Sequence, residues 1–348
     1  MKNKPDFAST LNFNIWGNRV RVLDVPYRGS RPYRARDEVT VLLSILKAAR
    51  QERALLLNSS SGNFYPDVLA CVLLGLLPRS LRPRIAIMGD MWEPNSGLRG
   101  FLERIIVKLA DRSIDRYLVM TTEEMNVFPK LWGVDGRKLR HCPYYYSVTD
   151  AELADIPIAE GGYVFAGGDS ARDYRPVIAA ARSFPDIEFI LATHWKSPSP
   201  LPTNVRLGPT SHKDFIRLMR NAQVVIVPIQ QGLRRSVGQQ TYLNSMYMRR
   251  PTIVADGFGV RDHIEDSWDA LITDGTERGY VAALDWLFAP ENAEKVAAMT
   301  ERAHQKAKTF SSERMGESLY SETVALLEGD RRSAPCPTES LGDGTSRH

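Results

Sequence analysis

The chain is poor in cysteine: Cys71, Cys142 and Cys336 are widely spaced among 348 residues, and no Cys-x-x-Cys pair occurs. That excludes a disulfide framework and a thiolate zinc site, and it sets the expectation of a reducing, cytoplasmic setting. No apolar run approaches the roughly 18 residues of a membrane span. The opening MKNKPDFAST has no apolar stretch after its lysines and does not read as a signal peptide. No Asp-x-Asp pair is present to hold a divalent cation, so no metal is expected. No internal repeat is found.

What remains is 43% hydrophobic and 25% charged, the composition of a soluble globular protein long enough for two domains. The net charge of +4 is unevenly placed. Residues 1–148 hold 23 Lys and Arg against 14 Asp and Glu, the remainder 22 against 27. The basic half is expected to meet something anionic. Its basic residues are scattered and carry no binding motif, so nucleic acid is not the expected partner. The apolar segment 66–77 ends in LPRSLRPR and is followed by LRGFLERIIVKLADR. One reading is a buried helix with a basic exit. The other, which the charge favours, is a peripheral patch that holds a lipid-linked acceptor against an anionic membrane, at its cytoplasmic face.

Strand-like runs at 18–26, 54–58, 84–90, 116–120 and 139–143 alternate with helical patterns at 39–50, 66–77, 98–112 and up to 132. This is a doubly wound α/β layer, with ligand positions at the strand ends 59–63, 90–92 and 121–122. Residues 144–162 break the alternation. A second run of strands (163–167, 187–193, 204–208, 224–228, 251–255) then follows. The chain therefore divides into a domain over 1–148, a linker over 149–162 and a second Rossmann-like domain over 163–329. A last helix near 311–327 is able to pack back on the first domain. Residues 330–348, rich in Ser, Pro, Gly and Thr, read as a disordered tail.

The most informative stretch is VVIVPIQQGLRRSVGQQTYLNSMYMRRPTIVAD, residues 224–256. A β-branched strand leads into a loop with Arg234 and Arg235, and Gly238 opens a helix before a second strand. A helix starting at glycine leaves free N–H groups on Gly238, Gln239, Gln240 and Thr241, and the helix dipole adds positive character. Two arginines beside such a terminus suit a phosphate or diphosphate. An ordinary turn with solvated arginines is the plain alternative.

The run GQQTYLNSMYMRRPTIVADGFGVRDHIEDSWDALIT resembles the signature region of the group 1 (family 4-like) glycosyltransferases, whose helix of the type LEAMA-x-G-x-P precedes a strand and a glycine loop. YVFAGGDSARDY and NVRLGPTSHKDFIRLMRNAQVVIVP resemble that family's donor domain. ADRSIDRYLVMTTEEMNVFPKLWGVDGRKLRHCP resembles the end of its first domain. The resemblance implies the GT-B architecture: two Rossmann-like domains facing each other across a cleft, a nucleotide-diphosphate sugar bound by the second and a carbohydrate or lipid-linked acceptor by the first. It implies no cofactor beyond the donor, and retention at the anomeric carbon.

The family's two signature glutamates are replaced by Ser236 and Asn244. On the donor side the resemblance points to Gly168, Arg172, Ser236 and Asn244, beside Gly238, Gln239, Gln240 and Thr241 of the helix start; His194 lies at a strand end where Trp195 and Lys196 are placed to border the base. Arg234 and Arg235 are candidates for stabilising the leaving diphosphate. Asp90 is the candidate acceptor-orienting carboxylate or, alternatively, a turn cap, with Trp92 and Asn63 on the acceptor side. Two other functions stay open: a transferase-like partner subunit without turnover, suggested by Ser236 and Asn244, and a sugar-nucleotide epimerase of the same architecture.

Overall fold

The computed structural model describes residues 4–25, 34–59, 64–89, 93, 95–159 and 161–328. It contains two six-stranded parallel sheets. The first is built from β1 (Phe7–Ser9), β2 (Val20–Val22), β3 (Ala54–Leu57), β4 (Arg84–Met88), β5 (Arg116–Val119) and β6 (Leu139–His141), in the order β2-β1-β3-β4-β5-β6. Helices α1 (Ala35–Ala49), α2 (Pro66–Leu74), α3 (Gly97–Ala110) and α4 (Thr122–Trp132) connect its strands. A short helix, α5 (Asp150–Ala154), follows β6.

The second sheet comprises β7 (Tyr163–Gly167), β8 (Glu188–Ala192), β9 (Val205–Gly208), β10 (Val224–Val227), β11 (Thr252–Ala255) and β12 (Leu271–Thr273), ordered β12-β11-β10-β7-β8-β9. Its helices are α6 (Arg175–Ala181), α7 (His212–Asn221), α8 (Gln239–Tyr247), α9 (Glu277–Phe288) and α10 (Ala293–Ala307). All four side chains of β10 and of β11 are buried, as expected for central strands covered on both faces. The strand order reverses between β1 and β3 in one sheet and between β7 and β10 in the other. At such a reversal the loops leaving the carboxyl ends diverge and open a crevice.

The last helix, α11 (Ser312–Val324), packs on the first sheet. Met315 and Leu319 join Phe7, Trp16, Leu56 and Ala86 in one apolar cluster. The Trp16 indole N–H donates to the Gly316 carbonyl at 2.8 Å. A Cβ on Gly316 would lie 2.7 Å from Ile15 Cγ2, so the close approach needs glycine. Trp16 is 1% exposed, and Trp16→Ala is expected to remove about 3–5 kcal/mol of stability, read by urea unfolding. A change below about 1 kcal/mol would show that α11 is not anchored on this ring.

Several sequence expectations shift. The strand expected over 18–26 is only Val20–Val22, because Asn14–Arg19 winds as a 3-10 helix. The short β1 pairs beside it and was not anticipated. Helix α1 starts at Ala35 rather than 39, held by the Arg34 N–H donating to Asp37 Oδ2 at 3.1 Å. The helix expected over 66–77 stops at Leu74, with Gly75 as its cap. The tail 330–348 lies outside the described residues. Among those described, Cys71 and Cys142 are free and buried, and no helix is long and apolar enough to cross a membrane.

Candidate functional site

The loops after β7 and β10 meet at the reversal of the second sheet. The Asp173 N–H donates to Pro228 O and the Gln230 N–H to Ala171 O, binding the two loops together. Gly168 follows β7 with φ +109°, and a Cβ there would sit 3.4 Å from the Arg172 guanidinium. Arg172 donates from Nη1 to Ser170 O at 2.6 Å and from Nη2 to Thr241 Oγ1 at 3.2 Å. It is thereby aimed at the amino terminus of α8. Its Nε is buried with no acceptor among the described residues, and burial lowers its pKa from the usual arginine value. Arg235 approaches the same loop, its Nη2 lying 3.5 Å from Ser170 Oγ.

Gly238 begins α8 in the left-handed region, φ +81°, and a Cβ there would come within 3.2 Å of Ile229 and Val227. Glycine is thus required both for the turn and for the packing beneath it. The Thr241 N–H, expected to be free, donates to Gly238 O at 2.9 Å because the first turn tightens. Its hydroxyl is the group that faces Arg172. The adjoining Gln239 is buried, and its amide Nε2 has no acceptor among the described residues, whereas Gln240 is exposed. Unpartnered donors, two arginines and a helix amino terminus converge here.

The first sheet closes over this region through the start of α4. Thr121 and Glu124 form a capping box. Glu124, 3% exposed, accepts the Met120 and Thr121 N–H groups on Oε2, at 2.8 and 3.2 Å. On Oε1 it accepts the Ser236 N–H at 3.2 Å and the Ser236 hydroxyl at 2.8 Å. One carboxylate therefore ties α4 to the loop that leads into α8. Beside it Glu123 accepts the Gly259 N–H, and Asp262 accepts the Thr122 N–H and hydroxyl. A Cβ on Gly259 would clash with Thr121 Cγ2 at 2.4 Å. The His141 Nε2 donates to Met120 O at 3.2 Å.

A cavity of about 300 Å³ opens beyond this contact, lined by Glu123, Gln230, Gln231, Leu233, Asp256 and Arg261 among others. It adjoins the loops after β7 and β10 through Ile229, which packs under both Gly238 and Gly257. Its size is at the lower end of small-molecule sites.

Not every expected donor-side residue reaches this place. Asn244 turns toward the chain between the sheets, accepting the Ser147 and Val148 N–H groups at 2.7 and 3.3 Å and donating to Ser147 Oγ at 3.1 Å. It is on the face of α8 that packs on Ser147 and Val148, and its side chain holds that segment. Arg234 bonds Glu93, at 2.9 Å from its N–H and 3.2 Å from its side chain, and lines a cavity with Arg104 of α3 and Lys130 of α4. His194 is exposed and held by Asp169 at 2.9 Å. Asn63, Asp90 and Trp92 lie outside the described residues. The sequence reading missed Glu123, Glu124, Gln230 and Gln231. A signal existed for Glu124, since Thr121 with glutamate three positions later is a capping-box pattern.

His263 sits behind α8, 1% exposed, with Nδ1 3.0 Å from the Tyr242 hydroxyl and its ring against Phe310. Burial pushes its pKa down to about 4. The unfolded chain, with a histidine near pH 6.5, binds this proton first, so stability is full above about pH 6.5 and falls as pH drops toward 4. The loss is expected to be about 3 kcal/mol, on the order of the shift. Urea unfolding at pH 7 and pH 4 checks it: His263→Gln should flatten the difference, and an equal slope in both proteins would discount the residue.

Compared by sequence, no family model and no curated protein matches the chain. Compared by structure, it superposes on Anabaena HepE in complex with UDP, with TM-score 0.64 and 12% identity, over 89% of this chain and 86% of that one. It also superposes on sucrose-phosphate synthase from Thermosynechococcus elongatus, with TM-score 0.66 and 11% identity, over 89% and 83%. A glycosyltransferase from Rickettsia africae follows, with TM-score 0.61 and 10% identity, over 92% and 90%. The chain has the GT-B glycosyltransferase fold. In GT-B terms the reversal between β7 and β10 lies in the second domain, and the α4 contact is the seam between the domains.

Proposed function

We propose that this GT-B chain transfers a sugar from a nucleotide-diphosphate sugar, bound by the loops after β7 and β10, to an acceptor presented by the first domain. The observation that carries the proposal is the convergence of Arg172, Arg235 and the α8 amino terminus, with Arg172 Nε and Gln239 Nε2 left without acceptors among the described residues. Buried donors without partners are costly, and an anion at this point satisfies them. The structure of HepE, of the same fold, holds UDP, and other HepE structures hold UDP with glucose or UDP-glucose.

Cleavage of the donor places negative charge on the departing diphosphate, and fixed cations and N–H dipoles stabilise it as it forms. These groups supply the charge that a metal would otherwise bring, which supports a metal-independent reaction; full turnover in EDTA is the expected result. Retention at the anomeric carbon follows the sequence resemblance, and NMR of the product anomer tests it. The acceptor is a carbohydrate or lipid-linked sugar, in polysaccharide or glycolipid assembly.

The deciding experiment is a thermal-shift screen of the protein against UDP, GDP, ADP, CMP and dTDP. A ligand at 100 times its Kd stabilises the folded state by about 2.7 kcal/mol, a shift of a few degrees. One diphosphate is expected to stand out, and its sugar conjugates are then assayed for transfer. A flat screen on folded protein favours the second reading, a partner subunit without turnover. The turning of Asn244 to Ser147 and of Ser236 to Glu124 supports that reading.

A further inference from the structure

Helix α3 is packed the opposite way round from an ordinary surface helix. The residues it buries are Gly100, Glu103, Val107 and Ala110, of which only Val107 is a large apolar side chain. Ile106 packs beside Val107 on the core, but the other large apolar side chains point outward: Leu98 is 73% exposed and Phe101 57%, with Leu102, Ile105 and Leu109 also exposed. The same outward face carries Arg104, Lys108 and Arg112, none paired with a carboxylate among the described residues. The helix's one acidic residue, Glu103, is buried and bonded to Asn95 and Arg99.

The apolar face continues onto the end of α2. Gly75 lies against α3, a Cβ there being 3.4 Å from Leu109 O, and the next residues, Leu76 and Leu77, are exposed. Leu81 extends the same turn outward, with 68% exposure.

We infer that this face of α3, with the turn after α2, docks on an anionic lipid bilayer. Exposed leucines and a phenylalanine interleaved with cations match the boundary between headgroups and acyl chains, where the apolar side chains enter and the cations meet phosphates. A second copy of the chain fits less well, because identical faces would bring Arg104, Lys108 and Arg112 against one another. The face also leads to the domain seam. Arg104 lines an open cavity of about 470 Å³ with Lys130 and Arg234, and Arg234 belongs to the loop that precedes α8. A lipid-borne acceptor would then approach the cleft along α3. That last step rests on the proposed transfer function, whereas the docking does not.

The test is co-sedimentation of the full chain with vesicles of phosphatidylglycerol and phosphatidylcholine, beside vesicles of phosphatidylcholine alone. Wild type is expected to pellet with the anionic vesicles and to be released by high salt. F101Q/L102Q and K108E/R112E should each lower the partition coefficient roughly tenfold or more. All four positions are exposed, and unchanged circular dichroism and melting temperature would confirm folding. The response to nucleotide diphosphates, measured on the same samples, separates the two proposals, since failure of the donor site leaves vesicle binding intact. The inference is overturned by three results: no pelleting of wild type, equal pelleting on neutral vesicles, or variants that bind as wild type does. A dimer in sedimentation velocity that F101Q/L102Q dissociates, with no vesicle binding, would overturn it in favour of self-association.

Discussion

Arg172→Ala is expected to weaken binding of the preferred nucleotide diphosphate by about 1.5–3 kcal/mol, the usual worth of hydrogen bonds to a charged group, or roughly 10- to 150-fold. The free protein is expected to melt near the wild-type temperature. The substitution removes two hydrogen bonds, to Ser170 O and Thr241 Oγ1, but also a guanidinium whose charge burial disfavours. The ligand-induced shift should therefore collapse while the baseline stays. Arg172→Lys keeps a charge and loses the planar fork, so an intermediate affinity is expected. Arg234→Ala should matter less for diphosphate affinity, because Arg234 is bonded to Glu93. Isothermal titration on the three variants ranks them. A larger loss in Arg234→Ala than in Arg172→Ala would move the centre of the site to the Glu93 side.

That ranking differs from the one the sequence suggests, and the reason is physical. Adjacent Arg234 and Arg235 look equivalent when read along the chain, yet neighbouring residues in a loop point to different sides. One meets Glu93 and the other approaches Ser170. The Val224–Val227 strand, the glycine start of α8 and the two-domain plan were legible because they rest on local signals: β-branched runs, a residue able to adopt positive φ, and alternation of strand and helix. The partners of Asn244 were not legible because helical spacing gives a position on α8 and does not say which segment packs over it. The sequence offered the 66–77 segment and LRGFLERIIVKLADR as a candidate peripheral patch, but which face of α3 turns outward was not legible, for a related reason. Its pattern is amphipathic, and periodicity alone does not reveal that the small face is the one turned inward. The docking of α11 on Trp16 joins residues 300 positions apart and has no local signal.

Glu124→Ala is expected to uncouple the two domains and to cut the transfer rate by about 100-fold while changing diphosphate affinity far less. Four groups, the N–H of Met120, Thr121 and Ser236 and the Ser236 hydroxyl, lose their acceptor in a buried seam. Each unsatisfied buried donor costs about 1–3 kcal/mol, so the seam opens to water instead, and the loop carrying Arg235 and Gly238 loses its anchor. Arg172 and Gly168 lie in the loop after β7 and do not touch Glu124, so the proposed diphosphate binding is expected to persist.

Glu124→Gln should behave almost as badly as alanine. All four groups donate, and an amide must turn its own N–H₂ toward one pair of them. Only a carboxylate accepts from both sides. The resemblance places a glutamate at position 236, where this chain has serine; Ser236 in turn bonds a glutamate contributed by the facing domain. Small-angle scattering and steady-state kinetics on both variants test the coupling. An unchanged radius of gyration with wild-type turnover in Glu124→Gln would show that the carboxylate caps α4 and does nothing across the seam. An expanded particle with a preserved diphosphate response and lost turnover would make Glu124 the residue through which domain closure organises the donor loop.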